Sequence, residues 1–410
     1  MKKLLLVLLI LSLFINHLNA NEKDLNIIQK DKKEYRLLEK ESIQTRQQSQ
    51  KYDWISPIDL SGNIGRNHSF SDENSRNLNN KNTKSASIGF TQSIFESGGI
   101  GFKMDYADNR FKYEMLSWEN QNSQLIYTIY NTLLDIKKLK LEINQNDYRI
   151  VNKDIELIIK KIQYEAGKTD IIELNNAIMS KNLIQKEEIA LKNSLKEKEQ
   201  ELAKYTDLKY DEIEILDFQE TNKDIFLDKN YSILEADAKV EMLNSEYKIK
   251  KSQYLPKLSL SAKASYSSQD EKFNSMINDT NKDDATASGS LILTMPLYDY
   301  TKSSKIQESK IEVLKQKALV NDLKNETAFE YEQIFTKIDT YLKQNETINK
   351  NIKLYEELIG ANQISSEAGM TSKYDLEILE NTKTINEFDI LINKINILQQ
   401  YAKLYFKIKN

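Results

Sequence analysis

The chain has 410 residues and no cysteine. That excludes disulfides, a thiolate nucleophile, a cysteine-bound metal and a lipid-modified cysteine behind a leader. Three prolines and ten glycines are few breakers for this length, so very long helices are expected. Histidine is nearly absent. His17 lies in an apolar leader and His68 in a polar stretch, leaving histidine-based acid–base catalysis without material. Beyond the first twenty residues, apolar runs stop at about four or five, far below the ~20 a membrane helix needs. A membrane-inserted form of this chain must therefore use strands. The 58 basic and 62 acidic residues give a net charge of −4 and are interspersed, which argues against nucleic acid as a partner. No glycine-rich phosphate loop or catalytic constellation is present. The expectation is no enzyme, no catalytic residue, no metal site and no cofactor.

What is present begins with a leader. Met1-Lys2-Lys3 is a basic head, Leu4–Ile15 an apolar run, and Leu18-Asn19-Ala20 a small-residue cut site. This order marks residues 1–20 as a secretory signal peptide, with the mature chain starting near Asn21. A short N-terminal anchor is the alternative, and the run is brief for one.

The remainder is written twice. Ile58–Ile64 matches Leu258–Ala264, Ser87–Thr91 matches Ser290–Thr294, and Glu165–Thr169 matches Glu367–Thr371. Three anchors in order at nearly constant spacing indicate an internal duplication. The first repeat covers 21–206, with strands near 58–66 and 86–95 and a helical hairpin near 100–204. The second covers 207–410, with strands near 257–267 and 288–298 and a hairpin near 301–409. The hairpins turn near Gly167 and Gly369.

In the clearest strand, Leu258, Leu260, Ala262, Ala264 and Tyr266 alternate with Lys257, Ser259, Ser261, Lys263 and Ser265. A period of two gives one apolar and one wet face. The linking stretches, Arg66–Ser85 and Ser267–Ala287, are rich in polar residues and suit loops facing water.

Each long helix covers nearly seventy residues, or roughly 100 Å at ~1.5 Å per residue. In the first, Ile129, Ile136, Ile143, Ile150, Leu157 and Tyr164 recur every seven residues. So do Tyr127, Leu134, Leu141, Tyr148, Ile155 and Ile162. The two series face different ways, so such a helix needs a neighbour on each side. In the second, Ile306, Val313, Val320, Thr327, Ile334, Tyr341, Ile348 and Tyr355 form one series. A nearby series through Tyr331, Ile338, Ile352 and Ile359 is broken at Asn345.

Across essentially the whole mature chain, this layout resembles the TolC-like outer-membrane efflux and secretion family. The segment Tyr254-Leu255-Pro256-Lys257-Leu258-Ser259-Leu260 looks like that family's helix-to-strand entry. The tips, Gly167 with Glu173-Leu174 and Gly369 with Asp375-Leu376, look like its helix-hairpin turns. The resemblance implies a mainly α chain with a small β portion. As a homotrimer it would form a twelve-stranded β-barrel, continued by an α-helical barrel into the periplasm. It implies a passive exit duct of a tripartite efflux pump or type I secretion system. The implied partners are a periplasmic adaptor (membrane fusion) protein, an inner-membrane efflux or ABC transporter, and outer-membrane lipid. It also implies a pore constriction at the tips, carried over to Asp375 and Glu173. A second family acid is missing, since Ile378 stands in its place, and Ser366 and Thr371 replace the family's basic and aromatic lock. Independently, four strands cannot close a membrane barrel, so a spanning form requires several chains. A competing class is a soluble periplasmic coiled-coil adaptor without a pore, which would not need the alternating strands.

Overall fold

The structure is a computed structural model that describes residues 25–67, 81–214, 216, 218, 220–270, 282–367 and 372–409. The expected signal peptide, His68, and the second tip at Gly369 with Thr371 lie outside these residues. The order is α1 (Lys30–Tyr52), β1 (Asp59–Asn67), β2 (Lys81–Phe95), α2 (Gly99–Glu165) and α3 (Ile171–Ala203). It continues with α4 (Lys223–Asp228), α5 (Tyr231–Ser252), β3 (Lys257–Asp270), β4 (Lys282–Thr294), α6 (Lys302–Glu367) and α7 (Lys373–Tyr405). Helix dominates. Among the described residues, no helix is long and apolar enough to cross a membrane.

The helices are long because almost nothing interrupts them. α2 runs 67 residues and α6 runs 66. α2 holds Gly101 near its start, and α6 tolerates Gly360 inside.

The chain divides into two compact units. One comprises residues 41–115 and 236–320 and contains the sheet. Its strands pair in the order β1-β2-β3-β4, every neighbour antiparallel. The strands extend beyond the apolar alternation, into stretches that polarity alone marks as loop. Lys81–Ser85, Ser267–Asp270 and Lys282–Ala287 are all paired. The ladder needs only backbone donors and acceptors, so a strand can continue where both faces turn polar. β4 stops at Thr294, just before Pro296, which has no N–H to donate.

The other unit comprises residues 1–40, 116–235 and 321–410. Ile129, Leu133, Leu134 and Ile136 of α2 are fully buried, so both predicted series are covered in this part of the helix. Toward the turn they open, with Ile162 and Tyr164 exposed. In α6 the series through Thr327 and Ile334 is buried. The break at Asn345 is filled by an amide pair, in which Asn393 Nδ2 donates to Asn345 Oδ1 at 2.9 Å.

A second packing centre comes from the segment that precedes α5. Phe226 of α4 packs with Ile334, Ile338, Leu404 and Ile408. Phe218 contacts Tyr130, Tyr405 and Phe406. The chain end is tied to the same place, since Tyr231 N donates to Lys407 O and Lys409 N to Lys229 O.

Candidate functional site

The sheet separates its side chains cleanly. Directly opposed residues share a face, and the row Leu60, Ile88, Ala264, Ala287 runs across all four strands. The same face carries Ile64, Ala86, Phe90, Leu258, Leu260, Ala262, Tyr266, Leu291 and Leu293. It is laid open: Leu60 is 80% exposed, Ile64 69%, Leu291 66% and Leu293 70%. Toward the far ends of the strands this face also carries Arg66, Lys84 and Ser268, and near the adjoining helix it is interrupted by Gln92. Its amide donates to Trp54 O at 2.9 Å and accepts from Ser56 N at 2.9 Å, fixing the entry to β1.

The opposite face is a ladder of hydroxyls. Ser61 pairs with Ser87 at 2.8 Å, Thr91 with Ser261 at 3.1 Å, Ser93 with Ser259 at 3.4 Å and Ser265 with Thr286 at 2.7 Å. Lys263 projects from the same face, and Ile292 is its apolar exception. One face thus satisfies itself with polar partners, whereas the middle of the other, between its polar ends, offers mostly carbon. An exposed apolar sheet of this extent suits lipid, not water.

The first tip is a Schellman turn. Gly167 has φ +68, Gly167 N donates to Tyr164 O at 2.9 Å and Lys168 N to Gln163 O at 2.8 Å. Asp170 then caps α3, its Oδ1 accepting from Glu173 N at 2.9 Å. Glu173 stands in the first turn of α3, and Lys160 of α2 donates to its Oε2 at 3.0 Å. The candidate Glu173 therefore has a partner within its own hairpin.

In the second hairpin Ser372 caps α7, its Oγ accepting from Tyr374 N at 3.2 Å. Asp375 occupies the same place relative to its cap as Glu173 does, and it is exposed. The residue matching Lys160 is Asn362, whose Nδ2 donates to Leu358 O within α6. Among the described residues, Asp375 thus has no ion pair like that of Glu173 with Lys160. The candidates are not equivalent. Among the described residues, no cluster of acids and histidines is arranged to hold a metal.

Comparison with known proteins bears on this arrangement directly. A model of the outer membrane efflux protein family matches residues 224–403, the second repeat almost entirely. The fold extends the likeness to nearly the whole chain. It is similar to the outer membrane protein VceC of Vibrio cholerae (TM-score 0.72, 12% identity, 93% of this chain and 94% of that one). The CmeC outer membrane channel of Campylobacter jejuni gives 0.70 at 13% identity, covering 92% and 84%. The MtrE outer membrane channel of Neisseria gonorrhoeae gives 0.68 at 12% identity, covering 91% and 85%. No curated protein matches in sequence. The TolC-like resemblance thus stands, with a mainly helical chain and a small sheet. In fold, nearly the whole chain is thus similar to those outer membrane proteins, and in sequence residues 224–403 match the efflux family.

Proposed function

We propose that three copies of this chain close a twelve-stranded barrel and form the exit duct of a tripartite efflux pump or a type I secretion system. The observation that carries this reading is the sheet. Its apolar face is bare, and both of its outer strands, β1 and β4, have a side without a partner among the described residues. Unpaired edges in hydrocarbon cost several kcal/mol per orphaned group, so a membrane form has to pair β4 of one chain with β1 of the next. Three such joins give twelve strands. A soluble adaptor would gain nothing from a bare apolar face.

Exposed apolar residues along the helices fit the same assembly. Ile172, Met179, Leu183 and Ile189 of α3 lie open in the single chain, as expected where a neighbouring chain covers them. Energy for transport comes from an inner-membrane transporter reached through a periplasmic adaptor. Asp375 and, less directly, Glu173 line the periplasmic constriction in this reading.

Extraction of the outer-membrane fraction tests it. The protein should migrate as a heat-sensitive trimer and conduct ions across a planar bilayer with no nucleotide added. Recovery as a soluble periplasmic monomer would remove the duct and favour the adaptor.

A further inference from the structure

The internal duplication reaches down to the register of the strands. Adding 200 to a β1 number and 203 to a β2 number turns Leu60↔Ile88 into Leu260↔Leu291, a pair that is observed. The same operation turns Asp59↔Gly89 into Ser259↔Ile292, Ile64↔Lys84 into Ala264↔Ala287, and Asn67↔Lys81 into Ser267↔Asp284. All of these are observed. The β1–β2 and β3–β4 hairpins are therefore copies residue for residue, although the sequences match only in patches.

One join in the sheet has no copy within the chain. β2 pairs with β3, and the duplicates of these strands are β4 and β1, which lie at opposite edges of the sheet. In a ring of chains they meet between copies.

We infer that β4 of one copy pairs with β1 of the next in the duplicated β2–β3 register, with Leu291 opposite Ile64 and Ile292 opposite Asn63. This inference rests on the trimeric barrel proposed above. Ile88↔Ala264 becomes Leu291↔Ile64, Gly89↔Lys263 becomes Ile292↔Asn63, and Phe90↔Ala262 becomes Leu293↔Gly62. Thr91↔Ser261 becomes Thr294↔Ser61, so the hydroxyl pair already seen between β2 and β3 would recur at the join.

Two features of the sheet agree independently. The register keeps the apolar faces continuous, because Leu291, Leu293, Ile64 and Leu60 all lie on the bare face. A one-residue slip would set Leu291 beside a polar-face residue and break both faces. Leu291 and Ile64 are also open, at 66% and 69% exposed, and opposed side chains of this kind cover one another across a join. A two-residue slip keeps the faces but loses the correspondence with β2–β3, and it is the register to exclude.

Paired cysteines test this cleanly, since the chain has none of its own. The double variants Leu291→Cys/Ile64→Cys and Ile292→Cys/Asn63→Cys sample neighbouring pairs, one hydrogen-bonded and one not. Copper phenanthroline oxidation, and separately a short thiol-to-thiol crosslinker, would be applied to the protein in outer membranes. The expected product is a covalent trimer on a reducing-agent-free denaturing gel. The controls Leu291→Cys/Gly62→Cys, Leu291→Cys/Arg66→Cys and Ile292→Cys/Gly65→Cys should give at least fivefold less. Preferential crosslinking of a shifted pair would overturn the register while leaving the barrel standing. Absence of any intermolecular product from every pair, with trimers still present in the membrane, would overturn the β4–β1 join itself.

Discussion

Lys160 Nζ meets Glu173 Oε2 at 3.0 Å across the first hairpin turn, while the duplicated positions in the second hairpin hold Asn362 and Asp375. The two repeats share a capped helix start with an acid three residues on, but not the lysine that faces it. A lysine answers the acid in one, and an amide occupies that place in the other. This asymmetry distinguishes the tip acids more sharply than their shared spacing does.

The turn glycine has a physical cause that an inexpensive substitution measures. Gly167 sits at φ +68 with open space where a Cβ would stand, so Gly167→Ala meets no clash and pays only for left-handed backbone. A loss of about 1 kcal/mol in thermal stability is expected. Gly360 lies inside α6, also with nothing near its would-be Cβ, so Gly360→Ala should gain about 0.5–1 kcal/mol from helix propensity. Opposite signs in a thermal-unfolding comparison are the expected result, and equal signs would refute this account of the two glycines.

Glu330 gives the protein a pH-dependent tie. Burial pushes its carboxyl upward, but the ammonium groups of Lys403 at 2.8 Å and Lys407 at 2.5 Å outweigh that and hold it below the usual carboxylate range. A folded value below the unfolded one means stabilisation that is full above the ordinary carboxylate range. It is lost as pH falls through the depressed folded value. Glu330→Gln should therefore cost about 1 kcal/mol at neutral pH, and the difference from wild type should shrink as the medium becomes strongly acidic. Urea unfolding at several pH values checks this. A gap that stays constant with pH would assign the effect to packing.

Much of this was legible in the sequence, and the gaps are physical. The apolar alternation of Leu258–Tyr266 reads as a strand because burial of one face imposes a period of two. The outer parts of the strands, such as Ser267–Asp270, have no such period, because nothing apolar rewards one face there. Gly167 stands out in the sequence because left-handed backbone favours glycine. Phe218 and Phe226, by contrast, lie in a stretch with no periodicity, and only tertiary contact reveals their role. Asn345 interrupts a seam in the sequence. Its partner Asn393 is 48 residues away, and no local pattern announces that pairing.

The two faces of the sheet predict a labelling pattern. Leu260 and Ala264 lie on the apolar face, and Ser261 and Lys263 on the hydroxyl face. Fluorophores on single cysteines at 260 and 264 should be reached by a lipid-soluble quencher in reconstituted membranes. Those at 261 and 263 should respond instead to an aqueous quencher. The inverted pattern would mean that the hydroxyl face looks outward.

The strongest test of the tip concerns cations. Three exposed copies of Asp375 around a narrow mouth would repel one another, and that repulsion is relieved when a cation enters. The same field concentrates cations at the mouth, so a trivalent ion added from the periplasmic side should block conductance. Asp375→Asn removes three charges at once and should weaken the block at least tenfold. Glu173→Gln should change it little, because Lys160 already neutralises Glu173. Lys160→Gln supplies the converse, since it frees Glu173 and should tighten the block if that acid also faces the pore. An acid that serves only its helix terminus behaves differently. Its neutralisation costs about 0.3–1 kcal/mol of local stability and leaves the ion block where it was. An unchanged block constant in Asp375→Asn, with the trimer intact, would take Asp375 out of the pore and leave it as a helix-terminal charge.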